Sequence, residues 1–256
     1  NALLTPQLLR RLEQFQLLAQ RRAKSSARGE RRSKARGQSV EFADYRNYVP
    51  GDDLRFLDWK IYGRIERLFL KLFLEEEDLR VNILIDASPS MTFGEPDKFL
   101  HARRIAAAVG YICLAKMDSL TVKTFGGRLD ASYGPRRGKA NCAGYLKFLS
   151  SLQPVEGTSL LNSFKSFACG GKRRGMTVVI SDFYDFAGYE DAFRQLFAND
   201  YEVLAIHVLS PQELKPDYQG DIRLMDCEFN MTTDVSMGSG ILNLYERTLT
   251  AFCNGI

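Results

Sequence analysis

Apolar positions along the chain follow two rhythms. After Thr5-Pro6, an N-cap followed by proline at the first helical position, Leu8, Leu9, Leu12, Phe15, Leu18 and Ala19 recur at the spacing of one helix face. The spacing predicts an amphipathic helix over 5–22. The next stretch, SSARGERRSKARGQS, is polar, basic and without period, and so reads as a linker or exposed loop. Then comes EFADYRNYVPGDDLRFLDWKIYGRIERLFLKLFLEEE, dense in aromatics and charges, with a turn at Pro50-Gly51. Its LFLKLFL run is expected to form a strand buried on both faces.

From Arg80 the rhythm becomes apolar strand alternating with helix. Strands are expected at 81–86 and 120–125, a hairpin partner near 129–133, and further strands at 176–182, 202–209, 222–229 and 231–235. Helices are expected at about 97–117, 140–151, 158–168 and 189–198, with a last one from about 240. Parallel strands need crossovers, and the crossovers cover the sheet, so the pattern predicts a doubly wound, mostly parallel α/β sheet. The expected division is a basic helix and linker over 1–36, an aromatic and acidic segment over 37–78, and the α/β domain over 79–256.

The chain has 256 residues, 45% of them hydrophobic, enough for a sizeable core. The net charge of +4 conceals an asymmetry: residues 1–40 hold ten Lys or Arg against two acids, and the rest carries −4. Such an arm suits nucleic acid, an anionic surface or an acidic partner, or is simply a solvated leader. No apolar run approaches the roughly 20 residues of a membrane-spanning helix. The first residues also lack the pattern of a secretory signal. Five scattered cysteines, never in a CxxC pair, indicate neither a disulfide framework nor a thiolate zinc site. A soluble, cytoplasmic protein is expected, with FCNGI, directly after an apolar helix, as a trimmed end.

Ligands in open α/β sheets sit outside the carboxyl ends of the strands. Two expected strands end there in acids, ILID at Asp86 and VVISD at Asp182, and VEGTSLLNSF places Thr158 in a glycine-preceded loop. Singly, Ser88 or Ser90 reads as a helix cap, as does Thr158, and Asp182 as a turn cap. Together they make an all-oxygen site suited to a hard cation such as Mg²⁺, with Mn²⁺ or Ca²⁺ as substitutes. In that arrangement Ser88, Ser90 and Thr158 are direct ligands, Asp86 and Asp182 hold coordinated waters, and an open position takes a partner's carboxylate.

Asp86-x-Ser88-x-Ser90, Thr158 and Asp182 resemble the metal-ion-dependent adhesion site of von Willebrand factor A-like domains. A second resemblance lies in EFADYRNYVPGDDLRFLDW, which is similar to the signature of the bacterial family called domain of unknown function fifty-eight. Glu41, Phe42, Arg46, Tyr48, Gly51, Asp52, Asp53, Arg55, Asp58 and Trp59 match it, and the resemblance covers about 37–256. Gly63-Arg64 and GQSVEF depart from it without touching the five oxygen-bearing positions. The resemblance implies an A-like domain with an adhesion-type metal site. It also implies partnership with MoxR-type AAA+ ATPases in assembling or activating other proteins. The signature block itself reads as a buried network, with Arg46 and Arg55 satisfying Asp44, Asp52, Asp53 or Asp58 while Phe42, Tyr45, Tyr48 and Trp59 fill space.

An enzyme needs an acid, a base or a nucleophile. Of the two histidines, His101 lies in the long helix and His207 inside a strand, and no GxSxG, GxxxxGK[ST] or HExxH pattern occurs. The nearest enzymatic reading is a Mg²⁺-dependent phosphohydrolase attacking through Asp86, but the second acid that would protonate the leaving group is a serine at position 88. Nucleic-acid binding through 10–36 rests on charge alone, without interleaved aromatics. The expectation is therefore a non-catalytic, Mg²⁺-dependent protein-binding module, without specific nucleic-acid binding and with at most peripheral membrane contact.

Overall fold

A computed structural model describes residues 3–5, 7–14, 41–74, 79–170, 175–217, 220–227 and 231–256. The chain divides into two compact units, Asn1–Leu18 with Leu79–Ile256, and Ala19–Asp78. The linker and most of the basic arm, residues 15–40, lie outside the described residues.

In the larger unit the first helix, α1, is described over 7–14. Leu3, Leu4 and Leu12 are buried in the same core as the central strands, so the amphipathic segment packs with the α/β unit. The remaining elements of this unit are β3 (Arg80–Asp86), α3 (Lys98–Ala115), β4 (Ser119–Phe125), β5 (Leu129–Arg136), α4 (Cys142–Ser151), α5 (Leu160–Gly170), β6 (Met176–Ser181), α6 (Glu190–Phe197), β7 (Glu202–His207), α7 (Pro211–Leu214), β8 (Gly220–Met225), β9 (Thr232–Met237) and α8 (Ser239–Gly255). α3, α4, α5 and α6 begin and end within two residues of the expected bounds, α7 has no expected counterpart, and β8 and β9 form a separate antiparallel hairpin.

The five-stranded sheet has the order β5-β4-β3-β6-β7. β3, β4, β6 and β7 run parallel and β5 returns antiparallel at the edge. Central strands of this kind must be apolar on both sides, and RVNILID supplies that. Val81, Ile83 and Ile85 face α3 and α4, while Leu84 joins Phe164, Phe167, Ala192 and Leu196 of α5 and α6 on the opposite face. The sheet is therefore covered on both faces. After β3 the chain builds β4 and β5 on one side and then returns to lay β6 on the other, so the strand order reverses between β3 and β6.

In the smaller unit β1 (Glu41–Asn47) pairs antiparallel with β2 (Phe69–Leu74), with an irregularity between Phe42 and Asp44. Between the strands lies α2 (Trp59–Ile65). The LFLKLFL run is thus one arm of a two-stranded ribbon, not a strand flanked on both sides by others. Leu70 is buried but Lys71 is half-exposed. An apolar run reports a demand for burial without saying how many layers meet it.

Candidate metal centre at the switch point

The register Ile85↔Ile180 brings the end of β3 beside the end of β6, so Asp86 meets Ser181 and Asp182 at the reversal of strand order. Asp86 is almost fully buried. One of its oxygens accepts the Ser88 backbone N–H at 2.9 Å, and the other accepts the Ser181 hydroxyl. Burial first, and the neighbouring Asp182 charge second, push the Asp86 carboxyl up to about 7. Two acids share one dry corner, and a cation near both offsets their repulsion.

Ser88 begins a single 3₁₀ turn, Pro89–Thr92, but its side chain makes no capping bond. Its Oγ lies 3.0 Å from the Oγ of Ser90 instead. Ser88 is buried and Ser90 half-buried, so the two hydroxyls converge at the edge of the core. The cap reading for these serines therefore gives way to a paired-hydroxyl arrangement.

Thr158 sits half-buried in the loop between α4 and α5. The loop is fastened to the same strand ends, because Val155 N–H donates to the Ala87 carbonyl at 2.7 Å and Ser159 N–H to the Gly126 carbonyl at 3.0 Å. Helix α5 starts at Leu160, later than expected, and its first amides are held by Asp185 Oδ2 at 2.8 Å and Ser159 Oγ at 3.4 Å. Asp185 and Ser159 thus both serve the first amides of α5.

Asp182 is buried as well, with Oδ1 accepting the Tyr184 N–H at 3.1 Å. Phe183 between them takes φ +58°, a left-handed conformation uncommon for an aromatic residue, and its N–H is held by Ser181 Oγ at 2.8 Å. Strain of this kind collects where a chain must turn sharply at a site. The second oxygen of Asp182 receives Lys98 Nζ at 2.8 Å, and the same ammonium reaches Glu213 Oε1 at 2.5 Å.

Sequence reasoning missed Lys98, Glu213, Ser181 and Asp185. Lys98 had a signal: it stands four residues before Ala102 on a face that continues through Ala106 and Gly110, all buried, so a cation occupies an apolar stripe. Glu213 also had one, since Ser210-x-x-Glu213 is a capping box and forms as such.

The five expected residues offer two carboxylates and three hydroxyls, the donor chemistry of a hard cation. Among the described residues no cluster of three or more His, Cys, Asp or Glu gathers in a way that could hold a metal ion, so any ion here would lean on the hydroxyls. The pairing of Ser88 and Ser90 with a crowded acid pair fits such an ion.

The signature block behaves differently from the expected buried network. Arg46 pairs with Asp52 at 2.8 Å, and Asp52 also accepts the Val49 N–H at 2.9 Å, closing the turn in which Gly51 takes φ +103°. Arg55 pairs at 2.7 Å with Asp53, which caps the Arg55 N–H. Both pairs lie at the surface. Asp58 is buried, but its partners are Lys71 at 3.1 Å, the Tyr45 hydroxyl at 3.1 Å and the first-turn amides of α2. Trp59 is 63% exposed and rests edge-on against Tyr62, and Tyr48 is half-buried. A two-stranded ribbon offers little interior, so Tyr45, Arg46, Arg55 and Trp59 stay exposed. The strand backbone at Glu41 and Phe42 is described; their side chains lie outside the described residues.

The family model "Protein of unknown function DUF58" matches residues 44–250. The uncharacterized protein Rv1480 of Mycobacterium tuberculosis is 25% identical over 251 residues, 96% of this chain and 79% of that one. The uncharacterized protein MAV169 of Mycobacterium avium is 31% identical over 80 residues, 31% of this chain and 47% of that one. Among solved structures, an aerotolerance-related membrane protein from Bacteroides fragilis aligns with a TM-score of 0.43 at 18% identity, over 66% of this chain and 87% of that one. With the family model spanning well over half its length, the chain belongs to the DUF58 family of proteins of unknown function.

Proposed function

We propose that this chain is a non-catalytic protein-binding module of von Willebrand factor A type, working through a Mg²⁺ ion at the ends of β3 and β6. The observation that carries the reading is the approach of Ser88 Oγ and Ser90 Oγ to 3.0 Å beside a buried acid pair at the point where strand order reverses. When bound, Mg²⁺ supplies positive charge and an open position for a partner's carboxylate. Ser88, Ser90 and Thr158 present hydroxyls, and Asp86 and Asp182 orient waters. Backbone bonds at Val155 and Ser159 hold the loop carrying Thr158 to the strand ends.

Two contacts weigh against a nucleophilic Asp86. Each of its oxygens already accepts a hydrogen bond, and the group is buried, so in-line attack on a phosphate would require both bonds to be given up. The partner class, a MoxR-type AAA+ ATPase or its client, comes from the family resemblance. ATP hydrolysis would belong to that partner, and we assign the encounter to the cytoplasm, where ATP is available. No helix among the described residues is long and apolar enough to cross a membrane.

The test is a binding titration of a candidate ATPase with wild-type protein and with Ser88→Ala/Ser90→Ala, in Mg²⁺ and in chelator. Binding is expected only for wild type with Mg²⁺. Equal binding with and without the ion would overturn the reading.

A further inference from the structure

Among the described residues of the larger unit, Lys98 is the largest fully buried charged side chain, and the proposed function gives it no task. It enters from the first turn of α3, whose N-cap is Asp97. Its ammonium touches Asp182 Oδ2 at 2.8 Å and Glu213 Oε1 at 2.5 Å, and lies 5.0 Å from the centre of the Tyr184 ring. Glu213 is fixed in turn: its other oxygen accepts the Ser210 N–H at 2.7 Å, and its carbonyl accepts the Tyr245 hydroxyl at 2.8 Å. A fully buried ammonium is costly unless paired, and here both partners are rigidly held. One of those partners is an acid of the candidate metal centre.

The geometry points to Lys98 as a built-in counter-ion of that centre, holding Asp182 in place when no divalent ion is bound and weakening the site for divalent ions by competing for the same carboxylate. This rests on the ion-site reading above and adds a determinant of ion affinity to it. The physical basis is direct. A positive charge a few ångströms from a bound cation repels it strongly in a partly dry site, and Lys98 also engages the Asp182 oxygen that would otherwise be open to a metal-bound water. A purely structural lysine would contribute to stability and leave ion affinity unchanged.

Two substitutions separate the possibilities because they act in opposite directions. Lys98→Met keeps an unbranched side chain of nearly the same length and removes its charge. Glu213→Gln keeps the shape of the partner and removes its charge, leaving the ammonium to rest on Asp182 alone. With Mn²⁺ as the probe, free Mn²⁺ is read by electron paramagnetic resonance and melting is followed in Mn²⁺ and in chelator. Lys98→Met is expected to bind Mn²⁺ on the order of tenfold more tightly than wild type. It should melt lower in chelator and regain more stability from Mn²⁺ than wild type does. Glu213→Gln is expected to bind several-fold more weakly, and it carries the test if Lys98→Met does not fold. Affinities equal to wild type in the variants that fold would overturn the counter-ion role while leaving the ion site standing. Absence of Mn²⁺ binding in wild type and variants alike would overturn the ion site itself, and this inference with it.

Discussion

At the scale of single residues, the informative group is Asp86, whose carboxyl is pushed up to about 7 by burial and by Asp182. An isolated aspartate titrates near 4. Below that pH the group is protonated in folded and unfolded chains alike, and its contribution to stability is fully present. As pH rises to 7 the unfolded chain ionises freely while the folded one resists, so the contribution is lost. Ion-free wild type should therefore melt lower at pH 8 than at pH 6, and Asp86→Asn should flatten that difference; an unchanged pH slope in the variant would rule this out. The places of Asp86, Ser88, Ser90 and Asp182 at the carboxyl ends of strands were legible because an apolar run precedes each. Lys98 was not, because its role depends on Glu213, 115 residues away. Arg46 and Arg55 were read as parts of a buried network, whereas each pairs within six residues at the surface.

Among the elements, the sheet was legible because β3 and β6 are mostly apolar and alternate with helical stretches, the pattern of parallel strands covered by their crossovers. The loop 155–159 was not, since its seat on the strand ends depends on backbone groups that carry no side-chain signal. Asp185 joins that loop to the end of β6 by accepting the Leu160 N–H at 2.8 Å, as a capping side chain would. Replacing it should cost about 1 kcal/mol, the usual worth of such a cap. Asp185→Ala is expected to lower the melting temperature and to weaken Mg²⁺ binding by freeing the Thr158 loop; a calorimetric titration matching wild type would remove the loop from the site. Gly110 offers a contrast on α3. A Cβ there would lie 2.4 Å from the ring of fully buried Tyr145, whose hydroxyl donates to the Ala106 carbonyl at 2.6 Å. Gly110→Ala should therefore destabilise the chain by roughly 1–3 kcal/mol through overpacking, read by denaturant unfolding. A stability equal to wild type would show that α3 and α4 yield at this contact.

For the molecule as a whole, charge and thiols give handles that do not depend on the ion. The +8 of residues 1–40 against the −4 of the remainder makes any binding to polyanions a property of the arm, and it should fall steeply with salt. Cys113 is buried, and burial raises its thiol to about 12, whereas Cys169 and Cys253 are exposed. A thiol reagent should therefore modify Cys169 and Cys253 in the native protein, and Cys113 only as the α/β unit unfolds; rapid native modification of Cys113 would contradict the packing of α3 on the sheet. The proposed binding module needs one ion at the ends of β3 and β6, and anomalous diffraction from crystals grown with Mn²⁺ tests this most directly. A single strong peak is expected within coordination distance of both Ser88 Oγ and Ser90 Oγ, on the side facing Asp86 and Asp182. A map with no peak there, or with peaks only at surface carboxylates, would contradict it.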